Sequence, residues 1–310
     1  MFNRSPRGLT VVVLSVALAV PIVACARRKP VDPGYASEIQ AWRDRRLAAL
    51  KAEDGWLTVV GLVWLKPGEN RFGSAAANEI VLPGAATPAV AGTLEQHPDG
   101  TVLVRPRPGA GVTLEGRPAG EQTLRSDREG GKPDVLRIGS VGLYLIERGG
   151  KLAARVKDSR SPARVRFQGI ESFPVDPSYR VQGTFEPYAE PRRVNVATAQ
   201  GPSQTMLVPG IVRFSLTGRA LSLEPFVESP NDTTFFFVLR DATSGRETYG
   251  ASRFLDAEAP AKGSRTVDLD FNKAINPPCA FTPFATCPLP LPGNILPVRI
   301  EAGEKYSGKE

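Results

Sequence analysis

The sequence predicts a mainly β protein with two antiparallel β-sandwich or barrel lobes and one N-terminal helix. Short apolar segments recur along most of the chain and are separated by turn residues. Glycine and proline are abundant, with 30 and 29 copies among 310 residues, and both interrupt long helices. One stretch, from Tyr35 to Glu53, instead has the spacing of an amphipathic helix.

The first 24 residues (1–24) have the pattern of a bacterial lipoprotein signal peptide. Arg4 and Arg7 form a basic region, and the apolar run 9–23 is too short to span a membrane comfortably. The run ends in Val-Ala-Cys, so Cys25 is the expected lipidated first residue of the mature protein. Several acyl chains on one residue anchor a protein stably. An ordinary secretory leader with a chance cysteine is the alternative.

The expected location is the cell envelope, with the lipid anchor holding the protein to a membrane. Ala26 rather than aspartate follows Cys25, which favours the periplasmic face of the outer membrane if the cell is Gram-negative. Cleavage removes two arginines and so lowers the formal charge of +7 by two. So small an excess in a chain of this length argues against nucleic acid as a partner.

Residues 25–34 form a predicted polar tether, and residues 35–54 contain the predicted helix. Ile39, Trp42 and Leu50 can share one helix face, while charged residues occupy much of the remaining surface. We expect the apolar face to pack on a β-domain. A helix lying on the membrane surface is the alternative, which the interspersed acidic residues disfavour.

Residues 55–170 are predicted to form the first β-lobe, a sandwich. A turn at residues 97–100 separates two candidate strands, and a two-glycine connection joins residues 143–148 to 151–156 as a hairpin. The strand order loosely resembles a forkhead-associated domain. The serine, arginine and histidine that such domains place around phosphothreonine are not recognisable, so the resemblance implies a shape and no function.

Residues 171–310 are predicted to form the second β-lobe, a barrel or a sandwich. Seven short candidate strands precede a proline-rich loop at residues 276–294. Residues 241–245 are expected to close a hairpin between the candidate strands 233–240 and 247–255. We expect the proline-rich loop to be ordered against this lobe, because it carries apolar side chains between its prolines.

The proline-rich loop carries Cys279 and Cys287, the two cysteines outside the leader. Exported proteins meet an oxidising compartment, so two thiols this close in sequence are expected to form a disulfide that stabilises the loop. A redox-active pair is the alternative, although C-x-x-C spacing is missing. Zinc binding with His97, the only histidine, gains no support from the spacing, and no metal or other cofactor is predicted.

The loop and its flanks also resemble a known family. The segments NPPCAFTPFATCPLP at residues 276–290, ETYGASRFL before it and NILPVRIEAGEK after it are similar to bacterial and archaeal domain-of-unknown-function family 1684. Weaker similarity extends upstream through DGWLTVVGLVWLKPGENRFGS, so the resemblance runs from Trp56 to Lys305. It implies no particular reaction, cofactor or catalytic residue.

Five polar residues near this loop form the candidate ligand-binding site, namely Tyr249, Arg253, Asp270, Asn272 and Asn276. Alternation along a strand places Tyr249 and Arg253 on one face, and likewise Asp270 and Asn272 in the next candidate strand. If these strands pair, Arg253 and Asp270 meet across the ladder in a polar pocket for a small anionic or sugar-like ligand. Alternatively, Arg253 and Asp270 only tie down the loop by hydrogen bonding.

Two classes of function fit these features. The first is a non-catalytic binding or envelope-maintenance lipoprotein whose ligand occupies the polar pocket. The second is an envelope hydrolase that uses Asp270 as general acid or base and Arg253 to stabilise an anion. A serine hydrolase built on His97 is disfavoured, because the sequence contains no G-x-S-x-G elbow. The burial of Asp270 distinguishes the two classes, because a catalytic carboxylate needs a cleft that is open to substrate.

Overall fold

The computed structural model describes Met1 and residues 30–308, and the fold is mainly β with one long N-terminal helix, as predicted. The described strands form four sheets, and their pairings are antiparallel except for one short parallel pair. None of these four sheets closes on itself, so the barrel alternative is wrong for this part of the chain. The predicted signal peptide and Cys25 lie outside the described residues.

Helix α1 spans Pro33–Lys51, two residues earlier at each end than the sequence predicted. The Asp32 side chain caps its N-terminus by accepting a hydrogen bond from the Tyr35 backbone N at 2.9 Å. Ile39 and Leu50 are buried, so this face packs on the β-structure as expected. Among the described residues, no helix combines the length and apolar character needed to cross a membrane.

The first lobe contains two sheets that share one apolar core. Their strands are β1 Val59–Trp64, β2 Gly68–Gly73, β3 Ile80–Val81, β4 Gly92–Gln96, β5 Val102–Pro106, β6 Thr113–Leu114, β7 Arg117–Pro118, β8 Gln122–Thr123, β9 Val135–Ile138, β10 Val141–Arg148 and β11 Lys151–Asp158. One sheet has the order β1-β11-β10-β9-β6-β7 and the other β3-β2-β4-β5-β8. Phe72 and Leu94 from the second sheet join Leu136 and Leu145 from the first in one cluster, which is sandwich packing.

Both hairpins predicted in this lobe are confirmed. β4 and β5 pair around the turn that contains His97. β10 and β11 pair with Arg148 opposite Lys151, and both glycines between them have positive φ, of 55° and 72°. Two adjacent positive φ angles are what a type I′ turn requires, and glycine adopts them without steric cost.

The second lobe departs further from the sequence prediction. Its strands are β12 Arg180–Val196, β13 Gln204–Leu216, β14 Arg219–Leu223, β15 Thr234–Leu239, β16 Arg253–Glu258 and β17 Thr266–Asp270. They form a sheet of order β14-β13-β12-β17 and the separate pair β15-β16. The first two candidate strands are one long strand, β12, whose register shifts between Pro187 and Arg192. The prolines there interrupt the ladder without ending the strand.

Two pairings expected in the second lobe are wrong. β16 pairs with β15, and β17 pairs with β12, so the strands carrying Arg253 and Asp270 do not form a ladder with each other. Residues 241–245 also do not close a short hairpin, because Leu239 lies opposite Arg253. The Asp241 carboxylate accepts a hydrogen bond from the Thr243 backbone N at 2.6 Å, and this local turn replaces the first part of the expected strand.

Two shorter features complete the fold. Helix α2, Pro162–Val165, follows the first lobe and is capped by the Ser161 side chain. Residues 271–308, which we call the C-terminal segment, contain no named strand and instead form isolated bridges such as Ser172 with Glu304 and Arg240 with Ile295. The proline-rich loop 276–294 within it, the Cys loop, is ordered against the protein as predicted.

Candidate functional site

Arg253 fastens the C-terminal segment to β16. The side chain is fully buried, and its Nη1 donates to Asp241 Oδ2 at 2.8 Å and to the Ile300 carbonyl at 3.0 Å. Nη2 donates to the Ala302 carbonyl. These contacts give Arg253 a structural role, but they hold residues 300–302 and not the Cys loop that the alternative named. Arg253 and Asp270, predicted to meet, instead bind different partners.

Asp270 and Asn272 fasten helix α1 to the end of β17. Asp270 Oδ1 accepts hydrogen bonds from the Tyr35 hydroxyl at 2.9 Å and from the Asn272 backbone N at 3.1 Å. The Asn272 side-chain amide donates to the same Tyr35 oxygen at 2.9 Å. Burial, reinforced by the Asp270 carboxylate, raises the pKa of Tyr35, so its hydroxyl keeps the proton that it donates. Tyr35 was not among the predicted site residues, because no sequence feature near it indicates contact with β17.

Tyr249 and Asn276 lie at two further points along the C-terminal segment. The Tyr249 hydroxyl donates to the Cys279 carbonyl at 3.0 Å, and its ring meets Tyr306 edge to face. Asn276 donates from its side-chain amide to the Lys305 carbonyl at 2.9 Å. Of the five predicted site residues, the structure therefore brings Asp270 and Asn272 into direct contact and gives the other three separate partners.

Glu304 is a buried acidic residue that sequence reasoning did not single out. It accepts hydrogen bonds from the Asn276 backbone N at 2.6 Å and from Arg46 Nε at 3.1 Å. Arg46 Nη2 also donates to the Asn276 carbonyl at 3.0 Å. Burial raises the pKa of the Glu304 carboxyl, and the nearby Arg46 opposes that shift only in part. Glu304 lies within the family-like segment NILPVRIEAGEK, which was the signal available in the sequence.

A groove lies beside this network, between helix α1, residues 162–171, the Cys loop and residues 305–308. We call it the tail groove. Its volume of about 1020 Å³ is in the range of small-molecule sites. Its walls are largely apolar and include Leu47, Leu57, Phe167, Ile170 and Phe281. The Phe167 and Phe281 rings pack edge to face with centroids 6.0 Å apart.

Asn276 is the one predicted site residue that lines the tail groove among those the structure describes. The residue is 1% exposed, and its Oδ1 has no hydrogen-bond partner within the protein. A buried amide oxygen without a donor is costly, so this atom favours a water or a ligand group that can donate to it.

The charged side chains of the tail groove are mostly cationic. Arg166 and Lys305 line it together with a single carboxylate, Glu171. The Lys305 ammonium lies 5.2 Å from the centroid of the Phe173 ring. A neighbouring cavity of about 240 Å³ is lined by Arg46, Glu304 and other polar residues of helix α1. The groove therefore has the electrostatic character of a site for an anion.

Cys279 and Cys287 are free thiols in this structure, so the predicted disulfide is not formed in it. They are nevertheless neighbours, because the Cys279 backbone N donates to Cys287 Sγ at 3.2 Å. Hydrogen bonding from Cys287 lowers the pKa of the Cys279 thiol, whereas the same interaction and burial raise the pKa of Cys287. Within the pair, Cys279 is therefore the stronger acid, and it is also the more exposed of the two thiols.

The described residues contain no cluster of three or more histidine, cysteine or acidic side chains that could hold a metal ion. His97 lies in the exposed turn between β4 and β5 of the first lobe, whereas both cysteines lie in the Cys loop near the end of the chain. Its Nε2 is 4.0 Å from Glu95 Oε2, a surface contact.

The protein is therefore β-rich and has a groove of small-molecule size beside a buried polar network. The profile of the family described as "Protein of unknown function (DUF1684)" matches residues 165–305. This part of the chain, residues 165–305, belongs to the family. The matched residues include the last residue of helix α2, all strands of the second lobe and the Cys loop. The part of the predicted resemblance between Trp56 and residue 164 lies outside the match and stays a prediction.

Two solved structures are similar to parts of the chain. The uncharacterized protein from gene locus rrnAC0354 of Haloarcula marismortui, solved by solution NMR, is 30% identical over 47% of this chain and 81% of that chain, with a TM-score of 0.41. The FhaA FHA domain, complexed with the intracellular domain of Rv3910, is 17% identical over 29% of this chain and 82% of that chain, with a TM-score of 0.21. TM-scores this low support no conclusion, so the forkhead-associated shape of the first lobe stays a prediction. No curated protein matches the chain.

Proposed function

We propose that this protein is a lipid-anchored cell-envelope protein that binds a small anionic ligand in the tail groove. The observation that carries the proposal is a groove of about 1020 Å³ in which two cationic side chains, Arg166 and Lys305, face one carboxylate, Glu171. Neither cation forms an ion pair within the described residues, although the Lys305 ammonium also lies over the Phe173 ring. The guanidinium of Arg166 can bind a carboxylate or phosphate with two parallel hydrogen bonds.

Asn276 adds a polar contact at the floor of the groove. Its Oδ1 is buried and lacks a donor, and a hydroxyl group of a sugar-like ligand can supply one. This arrangement keeps Asn276 as a candidate ligand-binding residue. Tyr249, Arg253, Asp270 and Asn272 support the proposal indirectly, because their hydrogen bonds hold the C-terminal segment and helix α1, parts of which form the groove walls.

A hydrolase built on Asp270 and Arg253 has much weaker support. Arg253 is fully buried against Asp241 and two backbone carbonyls, so a substrate anion has no access to its guanidinium. Asp270 is engaged by Tyr35 and Asn272. A general acid or base must reach the reacting group. Arg253 is closed off by burial, and Asp270 is 8% exposed, with Oδ1 engaged and Oδ2 3.7 Å from the Lys273 ammonium.

The membrane anchor rests on the leader pattern and on Cys25. Replacing this residue, Cys25→Ser, should abolish labelling by a fatty-acid analogue and leave unprocessed precursor, because serine cannot form the thioether that carries the lipid. Unchanged labelling would show that Cys25 is not the anchor and would remove the expected attachment to the outer membrane.

The disulfide belongs to the same proposal, because it would stabilise a wall of the groove. In an oxidising envelope, the Cys279 thiolate would attack a disulfide of an oxidising partner protein and form a mixed disulfide. Cys287 would then displace that partner as its dithiol, so the partner takes up the two electrons. The adjacency of the two thiols and the lowered pKa of Cys279 support this step.

Ligand binding is tested with the full-length protein in lipid nanodiscs, titrated with glucuronate and with inorganic phosphate. Binding that disappears in the double variant Arg166→Ala/Lys305→Ala supports the proposal. The matched control is Arg193→Ala/Lys262→Ala, which removes two exposed cations away from the groove. Equal loss in both double variants would indicate non-specific attraction to net charge and would contradict a site in the groove.

A further inference from the structure

The walls of the tail groove point to the chemical class of its ligand. We propose that the ligand is an acyl carboxylate, a single aliphatic chain that ends in one anionic group. This inference rests on the proposed function, which requires an anion, and adds the apolar chain. It is carried by the apolar side chains of the lining and by the balance of charge.

Large apolar side chains contribute to the lining of the groove. Leu47, Phe167, Ile170 and Phe281 all line it and are all only half-buried. Each of these side chains is large enough to stabilise the fold by full burial, yet each keeps part of its surface on the groove. An aliphatic chain would remove this surface from water, whereas a sugar phosphate would leave it facing polar atoms.

The charges favour one anionic group rather than several. Arg166 and Lys305 exceed Glu171 by a single positive charge. The nearby Arg46 is already neutralised by Glu304, with Nε and Oε1 3.1 Å apart. A monoanion therefore balances the groove, while a dianion would leave excess negative charge against Glu171.

Arg43 also lies close to the groove but does not extend it as an anion site. Its Nη2 donates to the Phe173 carbonyl at 2.8 Å, and burial lowers the pKa of its guanidinium. The small cavity that Arg43 lines is separate from Phe167 and Phe281. We therefore place the carboxylate between Arg166 and Lys305 and the chain along the apolar wall.

The test uses isothermal titration calorimetry of the full-length protein in nanodiscs, with empty nanodiscs as the reference for partitioning into lipid. The probes are hexanoate, octanoate and decanoate, which share one head group and differ in chain length. Each methylene that becomes buried should tighten Kd by about fourfold. Octylammonium, which has the chain of octanoate and the opposite charge, should bind at least about tenfold more weakly because Arg166 and Lys305 repel it.

A pair of phenylalanine variants locates the chain within the groove. Phe281→Ala removes a wall residue and should weaken the dependence of Kd on chain length. Phe284→Ala, in the same Cys loop but outside the groove lining, should leave that dependence unchanged. Circular dichroism checks that both variants fold. If Phe281→Ala does not fold, the comparison of octanoate with octylammonium on the unaltered protein tests the inference instead.

The outcomes separate this inference from the proposed function. If glucuronate or phosphate binds through Arg166 and Lys305 while chain length has no effect, the acyl ligand is wrong and the anion site stands. Equal affinity for octanoate and octylammonium would mean that the groove binds apolar chains without recognising charge, which overturns the inference. Absence of binding by every anion would overturn both.

Discussion

The first lobe and the C-terminal segment are held in place by different interactions. The first lobe relies on strand ladders around one apolar core, and its ion pairs, such as Arg71 with Glu79, lie at the surface. The C-terminal segment also buries apolar side chains such as Leu296 and Ile300, but it has no ladder of its own, and buried polar side chains supply many of its hydrogen bonds. Asn294, for example, donates to the Glu224 and Val238 carbonyls and accepts from the Glu224 backbone N.

The difference follows from where each region satisfies its backbone groups. Strands pair their own N–H and C=O groups, whereas a proline-rich segment has few N–H donors to offer its neighbours. Its carbonyls need donors from elsewhere, and Arg253 supplies them to Ile300 and Ala302. A buried polar residue in such a segment is therefore first a structural candidate, and only an unpartnered one such as Asn276 points to a ligand.

The largest expected effect comes from breaking the buried ion pair of the second lobe. Arg253→Ala leaves the Asp241 carboxylate buried without its cation and removes two carbonyl contacts. Loss of one partner of a buried pair costs about 3–5 kcal/mol of unfolding free energy. Denaturant titration measures this loss, and Arg71→Ala in the first lobe is the control, because an exposed pair contributes little.

The contrast between these variants tests the comparison directly. If Arg71→Ala lowers the unfolding free energy as much as Arg253→Ala does, the two regions are not held by different kinds of interaction. An unchanged denaturation midpoint for Arg253→Ala would contradict the structural role assigned to the buried pair.

The second expected effect concerns the Cys loop. The double variant Cys279→Ser/Cys287→Ser should lose about 1–3 kcal/mol relative to the oxidised protein, because a disulfide reduces the entropy of the unfolded chain. Thermal unfolding should then occur several degrees lower. Reduction of the unaltered protein by dithiothreitol should produce a similar shift. A double variant that melts unchanged, or two thiols that label without reduction, would exclude the disulfide.

The smallest expected effect is a pH dependence with opposite sign in the two regions. Burial raises the pKa of Glu304, so the folded state binds this proton more readily than the unfolded state does. The stability that this group contributes therefore falls as pH rises above the pKa of the unfolded state. A hydrogen bond from the Arg71 backbone N lowers the pKa of Glu79, so that group contributes stability above its unfolded pKa and loses it as pH falls.

Denaturation between about pH 2 and pH 7 measures both contributions, because the Glu79 contribution changes below the unfolded carboxyl pKa and the Glu304 contribution changes above it. Relative to Glu304→Gln, the unaltered protein should become less stable as pH rises over this window. Relative to Glu79→Gln, it should become more stable. Slopes of the same sign for the two comparisons would show that burial does not dominate at Glu304.

Sequence reasoning succeeded where structure is local. The β10–β11 hairpin follows from two adjacent glycines, and the turn between β4 and β5 follows from a short run of turn residues. The pairing of β16 and β17 failed because β12, distant in sequence, competes for the edge of β17. Alternation places side chains on a face but does not select the partner strand.

The candidate site shows the same limit. Its residues were predicted from alternation along candidate strands beside the Cys loop, and several of their partners come from far along the chain. Tyr35, which binds Asp270, is 235 positions away, and Arg46 is 258 positions from Glu304. The tail groove itself is built from five separated segments, so no window of sequence contains it.

The contacts between helix α1 and the C-terminal segment also bear on the order in which the chain folds. Helix α1 lies at the start of the described fold, yet two of its anchors, Asp270 and Glu304, lie near the end. Contacts of such long range form slowly, because a long loop must close before they contribute any stability. During synthesis or export the first lobe can complete its own core early. Helix α1 must wait, undocked, until the last part of the chain arrives.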